Sequence, residues 1–172
     1  MAGLPLITLP DFETLVIDRL FLCSQNISGL TVFKQPSANA LNANQFPMCY
    51  TLVGPMLASI PVDTVGAGQI QVIRDYVVRL FGDPVASTLD NSATTGAQGL
   101  VNLLPYFNAL RQFFIGHPKL QTTTLDALQY MAGQLLLSDS GLVIHQAPGG
   151  GDHFAIDLTL TITMRAQVNQ LA

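Results

Sequence analysis

Two histidines and a run of three glycines stand close together near the end of the sequence. His145 and His153 flank the segment APGGGD, residues 147–152. Because glycine accepts the positive φ angles of tight turns, this segment predicts the tip of a β-hairpin with one histidine on each strand. Two facing imidazoles would supply two metal ligands, whereas a structural zinc site needs about four. We therefore expect no metal here and interpret both histidines as surface or subunit-contact residues.

Side chains that carry enzymatic chemistry are otherwise sparse. Glu13 is the one glutamate of the sequence, and neither GxSxG nor HExxH occurs. The glycine segment also differs from phosphate-binding loops, because those lie between a strand and the N-terminus of a helix and a second strand follows here. Asp75 and Asp157, on two predicted strands, stay open as an acid–base pair, but nothing in their spacing favours that role. The sequence predicts no catalytic residue, no cofactor and no enzyme.

The cysteines and the apolar segments bear on the compartment. Cys23 and Cys49 show no CxxC spacing. We expect two small buried side chains in a reducing compartment, with a disulfide between them as the open alternative. The opening segment MAGLPLITLP lacks the positive residues and the long apolar run of a signal peptide, and no stretch reaches the roughly 18 apolar residues of a membrane helix. These features favour a protein that is made in the cytoplasm.

The most regular pattern is FAIDLTLTITMR, residues 154–165. Apolar residues occupy every second position, and Asp157 and three threonines lie between them. Side chains of a strand alternate between its two faces, so this pattern predicts one apolar face and one threonine-coated face. About twelve residues at roughly 3.4 Å each give a length of about 40 Å, twice that of a common strand. Such a strand can extend beyond its own domain and contact a neighbour.

A second long alternation lies in QIQVIRDYVVRLF, residues 69–81. Arg74 interrupts an apolar face whose other members are Ile70, Val72, Tyr76, Val78 and Leu80. We expect Arg74 to be paired with an aspartate. The alternative is a ligand pocket at Arg74, between the sheet and the predicted helix that carries residues 106–114.

Two amphipathic helices are predicted. Thr8, Pro10 and Asp11 supply the capping chemistry of a helix start. The buried face of this helix is predicted to contain Phe12, Leu15, Val16 and Leu20. Apolar and aromatic residues at helical spacing predict a second helix over residues 100–115, with Pro105 at its start or at a kink.

Shorter strands and loops join these elements. Residues 29–33 and 48–53 are predicted as strands, the second limited by the prolines on either side. Residues 125–137 fit a short helix or a strand equally, and residues 142–146 form the first strand of the C-terminal hairpin. Residues 82–99 lack periodicity and are long for a loop in a compact domain. We expect there either a contact loop that orders on assembly or a plain flexible loop.

Composition limits the class of protein. Charged residues make up 10% of the 172 residues, against roughly 25% in an average soluble domain. A surface so poor in charge is typical of a chain whose faces are covered by other subunits, and the alternative is a monomer with a neutral polar surface. The net charge of −4 argues against nucleic-acid binding, which requires a basic patch. The length fits a single domain, residues 1–172.

The order of these elements resembles the tail-terminator, or tail-completion, proteins of long-tailed bacteriophages and related minor tail proteins. The resemblance covers residues 11–165 and depends on the order helix, strand, long strand, helix and hairpin. Its phrases are FPMCYTLVG, QIQVIRDYVVRLF, YFNALRQFFIGHPKL and DLTLTITMR. The long segment 82–99 and the full segment 121–139 depart from the family pattern.

The resemblance implies an α+β fold, a mostly antiparallel β-sheet with a long C-terminal β-hairpin and helices packed on one face. It implies a ring-forming structural virion protein in the neck region of the tail, assembled in the host cytoplasm. The ring, a hexamer, would cap the head-proximal end of the tail tube, end tube polymerisation and provide the surface for head–tail joining.

Partners implied by the resemblance are further copies of the chain, the tail tube protein and a head–tail connector or neck protein. DNA would pass through the lumen of the ring without sequence-specific binding, and no membrane is involved. The alternatives are another neck, head-closure or minor tail component, and a soluble ligand-binding sheet domain.

Nine residues are the expected contacts with other subunits or partners, because they lie in the long loop, at the hairpin or at the ends of the long strand. They are Asp83, Asp90, Asn91, His145, Gly150, Asp152, His153, Asp157 and Arg165. A ring closes when each subunit offers a strand or a hairpin to the next, which leaves few unpaired sheet edges.

Overall fold

Five strands form one sheet, and two helices cover one of its faces. The computed structural model describes residues 9–34, 45–61, 69–85, 96–148 and 150–167. In chain order the elements are α1 Leu9–Ser24, β1 Thr31–Phe33, β2 Met48–Pro61, β3 Gln69–Pro84, α2 Gly96–Gly116, β4 Leu136–Gln146 and β5 Asp152–Gln167. The predicted α+β class with a C-terminal hairpin is confirmed.

The two longest strands lie side by side at the centre of the sheet. The strand order is β1-β2-β3-β5-β4, with β1 parallel to β2 and all other neighbours antiparallel. β3 and β5 have 16 residues each, which corresponds to about 50 Å. Both strands predicted from alternation are therefore present. β3 begins at the predicted Gln69 and continues past Phe81 to Pro84, and β5 extends beyond its predicted range at both ends.

The apolar face of β5 builds the main core, as its alternation predicts. Leu158, Leu160 and Ile162 are almost completely buried between the sheet and the helices. α1 contributes one buried stripe and α2 another, and their members are Phe12, Val16, Leu20 and Cys23 from α1 and Leu103, Phe107, Leu110 and Phe114 from α2. Since both stripes belong to the same cluster, both helices lie on the same face of the sheet.

A second apolar cluster lies on the opposite face, at the hairpin end of the sheet. It consists of Met48, Tyr50, Phe81, Ala147 and Ala155. Phe81 is opposite Met48 on one side and Ala155 on the other, so the cluster crosses three strands. The predicted polar face of β5 is therefore apolar near the hairpin and carries its threonines only further along.

β2 is longer than the sequence predicted. Prolines were expected to end it near Val53, but the strand continues to Pro61 with Pro55 inside it. The pairing with β3 shifts register between Val53 and Met56 and again between Met56 and Ala58. Proline is tolerated at such bulges, because the regular ladder is already interrupted there and no N–H is required.

The predicted long loop is shorter at both ends. β3 continues to Pro84 and α2 begins at Gly96, so Asp83 lies in a strand. Residues 86–95 are outside the described residues. Pro105 lies inside α2 and does not mark its start. The helix tolerates it because Pro105 and Val101, whose carbonyl loses its helical partner, are both exposed to solvent.

Most of the ambiguous segment 125–137 is neither a helix nor a regular strand. The amide of Leu128 donates to the carbonyl of Lys119 at 2.8 Å. Met131 forms an isolated bridge with Met164, and β4 begins only at Leu136. Neither alternative offered by the sequence is correct here, because single long-range hydrogen bonds hold this segment beside the end of β5.

Both cysteines are free and buried, and they do not form a disulfide. Burial raises the pKa of the Cys23 thiol to about 11 and that of Cys49 to about 12, against the opposing effects of Arg19 on the first and a Ser24 hydrogen bond on the second. The expectation of two small buried side chains is confirmed.

Tyr76 provides a test of the core through pH. Its side chain is fully buried and its hydroxyl has no hydrogen-bond partner among the described atoms. Burial raises the pKa of Tyr76 to about 12, while Arg74 acts in the opposite direction. We expect Tyr76→Phe to raise the free energy of unfolding by about 1 kcal/mol at neutral pH, because it removes an unsatisfied buried group.

The same variant is expected to change the alkaline behaviour. In the unfolded chain tyrosine ionises near pH 10, whereas Tyr76 in the folded chain stays neutral until about pH 12. Between these two pH values the unfolded state alone loses the proton, so the free energy of unfolding of the wild type falls as the pH rises. Tyr76→Phe should therefore lose less of its free energy of unfolding at alkaline pH than the wild type does. Urea unfolding at neutral and alkaline pH measures the difference. Tyr106→Phe, at a half-buried tyrosine, is the control. Equal alkaline loss in wild type and Tyr76→Phe would contradict the assignment.

Candidate interaction surfaces

The hairpin tip forms as the glycines predict. The amide of Ala147 donates to the carbonyl of Gly151 at 2.8 Å, and the amide of Gly150 donates back to Ala147 at 3.0 Å. Gly150 and Gly151 have φ angles of 108° and 83°, which side chains rarely adopt. Asp152 follows as an exposed residue whose carbonyl accepts from the amide of Val85. The tip is therefore attached to the end of β3.

The two histidines face each other in register but have different partners. His145 is opposite His153 in the hairpin. Nδ1 of His153 lies 2.8 Å from the carbonyl oxygen of Gly82, and its ring stacks on Phe46 with 4.3 Å between ring centroids. His153 thus fastens the hairpin to β3 and to the chain before β2, which is a structural use of its ring.

Asp157 belongs to a row of polar side chains that crosses the face of the sheet opposite the helices. Nε and Nη2 of Arg79 each donate to one oxygen of Asp157 at 2.8 Å, and Nε2 of His145 lies 3.5 Å from that carboxylate. These hydrogen bonds, opposed by desolvation, raise the pKa of the Arg79 guanidinium. Tyr50 is opposite Arg79 and adds to the same effect.

The hypothesis of an acid–base pair finds no support in this geometry. Asp75 lies opposite Thr161 and accepts a hydrogen bond from its hydroxyl at 2.5 Å. Asp157 lies opposite Arg79, four residues before Thr161 in β5. Each carboxylate therefore has its own partner in a different row of the sheet.

The other predicted contact residues are separated. Asp83 accepts a hydrogen bond from Asn102 of α2 at 2.5 Å, beside an open cleft of about 510 Å³ that Phe46 and Tyr106 help to line. Arg165 is exposed near the opposite end of β5. Asp90 and Asn91 lie outside the described residues. The structure gathers Asp83, His145, Gly150, Asp152, His153 and Asp157 at one end of the sheet and leaves Arg165 at the other.

Arg74 has a different partner from the one expected. Its guanidinium forms an ion pair with Glu13 of α1, and its Nε donates to the carbonyl of Gly54 at 3.3 Å. The prediction of an aspartate partner is wrong, because the partner comes from a helix 61 residues away in the chain and not from a neighbouring strand. Arg74 is not among the residues that line the described cleft beside α2, so that cleft gives the alternative ligand pocket at Arg74 no support.

The sequence reasoning did not find the two free edges of the sheet. Three of the fourteen residues of β2 pair with β1, which leaves eleven, residues 51–61, without a strand on that side in the described part of the chain. β4, with eleven residues, is the opposite edge. Which strand becomes an edge depends on the order of strands in the sheet, which no local pattern reveals.

Both edges present apolar side chains to solvent. Five of the eight exposed large hydrophobic residues in the described segments lie on the two edge strands: Val53, Met56 and Leu57 on β2, and Leu136 and Ile144 on β4. Leu136 is 69% exposed and Leu57 is 54% exposed. Monomeric proteins protect edge strands with charged residues, prolines and β-bulges, and of these the two edges have Pro55 and bulges but little charge. Asp139 is the only acidic or basic residue, histidine aside, on the free part of either edge.

Comparison with known proteins adds no relative. No protein-family model matches the sequence, and no curated protein is significantly similar to it. Among the described residues, no three His, Cys, Asp or Glu side chains are placed to hold a metal ion. Neither α1 nor α2 is long and apolar enough to cross a membrane. The two apolar edges are the strongest candidate for a functional surface in the part of the chain that the structure describes.

The polar row gives a testable contribution to stability. Asp157→Asn keeps the size of the side chain but leaves one neutral oxygen acceptor where Arg79 now donates to two charged ones, so we expect the free energy of unfolding to fall by about 1 kcal/mol. Urea unfolding measures the change. Asp152→Asn, at an exposed position of the same hairpin, is the matched control. Equal effects of the two substitutions would show that the Arg79 pair does not stabilise the sheet.

Proposed function

We propose that this chain is a ring-forming structural protein of a bacteriophage tail, a tail terminator that caps the head-proximal end of the tail tube. The observation that carries the proposal is the pair of apolar edges on one sheet, in a chain with very few charges. An isolated monomer gains nothing from five exposed large hydrophobic residues on its edge strands. A subunit enclosed between two neighbours would bury them.

The element order supports the particular role. The helix, strand, long strand, helix and hairpin on which the resemblance to tail terminators depends all occur in that order, and both helices lie on one face of the sheet. β1 is a short addition at the edge. In this role the ring is an assembly device without catalysis, made of identical copies.

The electrostatics suit a ring through which DNA passes. The net charge is −4, and only Lys34 and Lys119 are lysines. On the face of the sheet that the helices leave open, the charge of Arg79 is neutralised by Asp157. A surface without a basic patch does not retain the phosphate backbone.

The mechanism that we propose is steric. One face of the ring reproduces enough of the tube's subunit interface to bind the last ring of the tube. The other face lacks the features that a further tube subunit needs, and it presents the surface to which the head connector binds. Tube length is then fixed because no subunit can be added past the terminator.

Native mass spectrometry of the purified protein, alone and with assembled tail tubes, tests this function, followed by negative-stain imaging of the tubes. We expect hexameric rings, or tube ends capped after addition of the protein. Rings that bind a head connector and ignore tube ends would instead support a neck or head-closure protein. A monomer that ignores the tubes would overturn the proposal.

A further inference from the structure

The free edges of the sheet have compatible directions. Each neighbouring pair in the series β2, β3, β5, β4 is antiparallel, so β4 runs in the direction opposite to β2. When β4 of one copy lies beside β2 of a second copy, the two strands continue the antiparallel alternation of the sheet. The lengths also agree, because eleven residues of β2 are free and β4 has eleven residues.

A groove lies beside the free edge of β2, on the side of the helices. It has a volume of about 380 Å³. Pro10, Thr14, Ile17 and Val53 line its apolar part, and Glu13, Asp18 and Lys34 line its polar rim. Val53 is opposite the buried Tyr76, which shows that its side chain points towards the helices, and it is 47% exposed. The groove opens just beyond the point where β1 ends, so no strand of the same copy covers it in the described residues.

Ile144 is an apolar side chain of the right orientation on the other edge. It lies opposite Phe154, a member of the main core, so its side chain also points to the helix side of the sheet. It is 55% exposed, whereas its neighbour on the same face, Leu142, packs against the core. Ile144 therefore projects from β4 at the level where a neighbouring copy would present its groove.

We propose that copies of the chain assemble head to tail, with β4 of one copy paired to residues 51–61 of β2 in the next and Ile144 seated in the groove beside Val53. This inference rests on the proposed self-assembly and specifies its interface. Two different surfaces meet, so the contact generates a ring or a filament and not a two-fold dimer.

The irregularities of the two strands support this register. With Ile144 opposite Val53, Gln146 lies opposite Thr51 and Leu136 opposite Pro61. Pro55 and the residues around it, where β2 shifts register, then face the bulge between Asp139 and Leu142 of β4. Because the two bulges lie opposite each other in this register, regular hydrogen bonding between β4 and β2 can form on both sides of them.

Engineered cysteines test the contact directly. The native Cys23 and Cys49 are fully buried, so they give a low background. The Val53→Cys and Ile144→Cys proteins are mixed under assembly conditions and oxidised or treated with a short bismaleimide. We expect covalent heterodimers in the mixture and no covalent dimers when either variant is treated on its own. The double variant should give a ladder of covalent oligomers that ends at the ring. Ile115→Cys, at an equally exposed apolar position of α2, should not cross-link to Val53→Cys.

A second comparison measures the contribution of the contact to assembly. Ile144→Asp should weaken ring formation about tenfold or more, because it replaces the apolar contact with Val53 and Ile17 by a carboxylate beside Glu13 and Asp18. It should leave thermal unfolding of the monomer nearly unchanged. Ile115→Asp, at 59% exposure against 55% for Ile144, is the matched control and should assemble normally.

The outcomes separate the interface from the function. Wild-type rings without cross-links in the mixture, or with assembly unaffected by Ile144→Asp, would overturn the interface and leave the terminator intact. Cross-linking of Ile144→Cys to itself would show a two-fold β4 contact and also overturn it. A wild-type chain that remains monomeric both in solution and with tubes would overturn both.

Discussion

Leu160→Asp is expected to abolish folding. Leu160 is fully buried at the centre of β5, between Tyr76 of β3 and Leu137 of β4. A carboxylate at this position has no partner, and burying an unpaired charge costs several kcal/mol, a large part of the 5–15 kcal/mol by which domains are commonly stable. Circular dichroism and size-exclusion chromatography of the expressed variant measure the loss.

Leu160 is a better site for this substitution than Ile162, because no cation lies opposite it in the sheet. Ile162 is equally buried, but it lies opposite Arg74, whose guanidinium would be available to an aspartate there. Thr163→Asp is the matched control, since it places the same charge on the same strand but on the opposite, half-exposed face. Cooperative unfolding of Leu160→Asp near the wild-type midpoint would show that the alternation does not define the core.

Gly99→Ala is expected to destabilise the protein by about 2 kcal/mol, which is typical of overpacking. Gly99 is buried in the first turn of α2, and a Cβ atom there would lie 2.5 Å from Cδ2 of Phe154 on β5. The helix would have to move away from the sheet or the ring would have to leave its position. Urea unfolding gives the change in the free energy of unfolding.

Gly96 supplies the opposite result for the same substitution. It is the first residue of α2, and a Cβ atom there would meet no atom within 4 Å. Gly96→Ala should therefore be neutral or stabilise slightly, by less than about 1 kcal/mol, through helix propensity. Equal losses in Gly96→Ala and Gly99→Ala would mean that α2 does not approach Phe154 as closely as the structure shows.

Elements set by local periodicity were predictable from the sequence. The alternation of β3 and β5 and the apolar stripes of α1 and α2 follow from side-chain geometry within each element. Features set by distant partners were not predictable in this way. Pro55 suggested the end of a strand, and only the bulged pairing with β3 explains why β2 continues.

The candidate interaction surface likewise has one part that the sequence predicts and one part that it does not. The sequence identified the hairpin tip, and the structure places His153 beside it and Asp157 further along β5. Their side chains already have partners within the chain, the Gly82 carbonyl and Arg79. Their role as subunit contacts stays a prediction. The two free edges could be identified only from the order of strands in the sheet. The alternation of β4 would be the same in a central strand, where Ile144 would be buried, and in an edge strand, where it is exposed.

The apolar cluster on the open face has a consequence for motion. Near the hairpin, β3 and β5 bury side chains on both faces, with Leu80 and Ile156 towards the helices and Phe81 and Ala155 away from them. Towards Arg165, the buried clusters formed by the described residues cover only the helix face. Amide exchange by local opening should therefore be slowest at the hairpin end and faster towards the far end. In the proposed ring, we therefore expect the hairpin end to hold its partner in a fixed geometry and the far end to be the one that adapts.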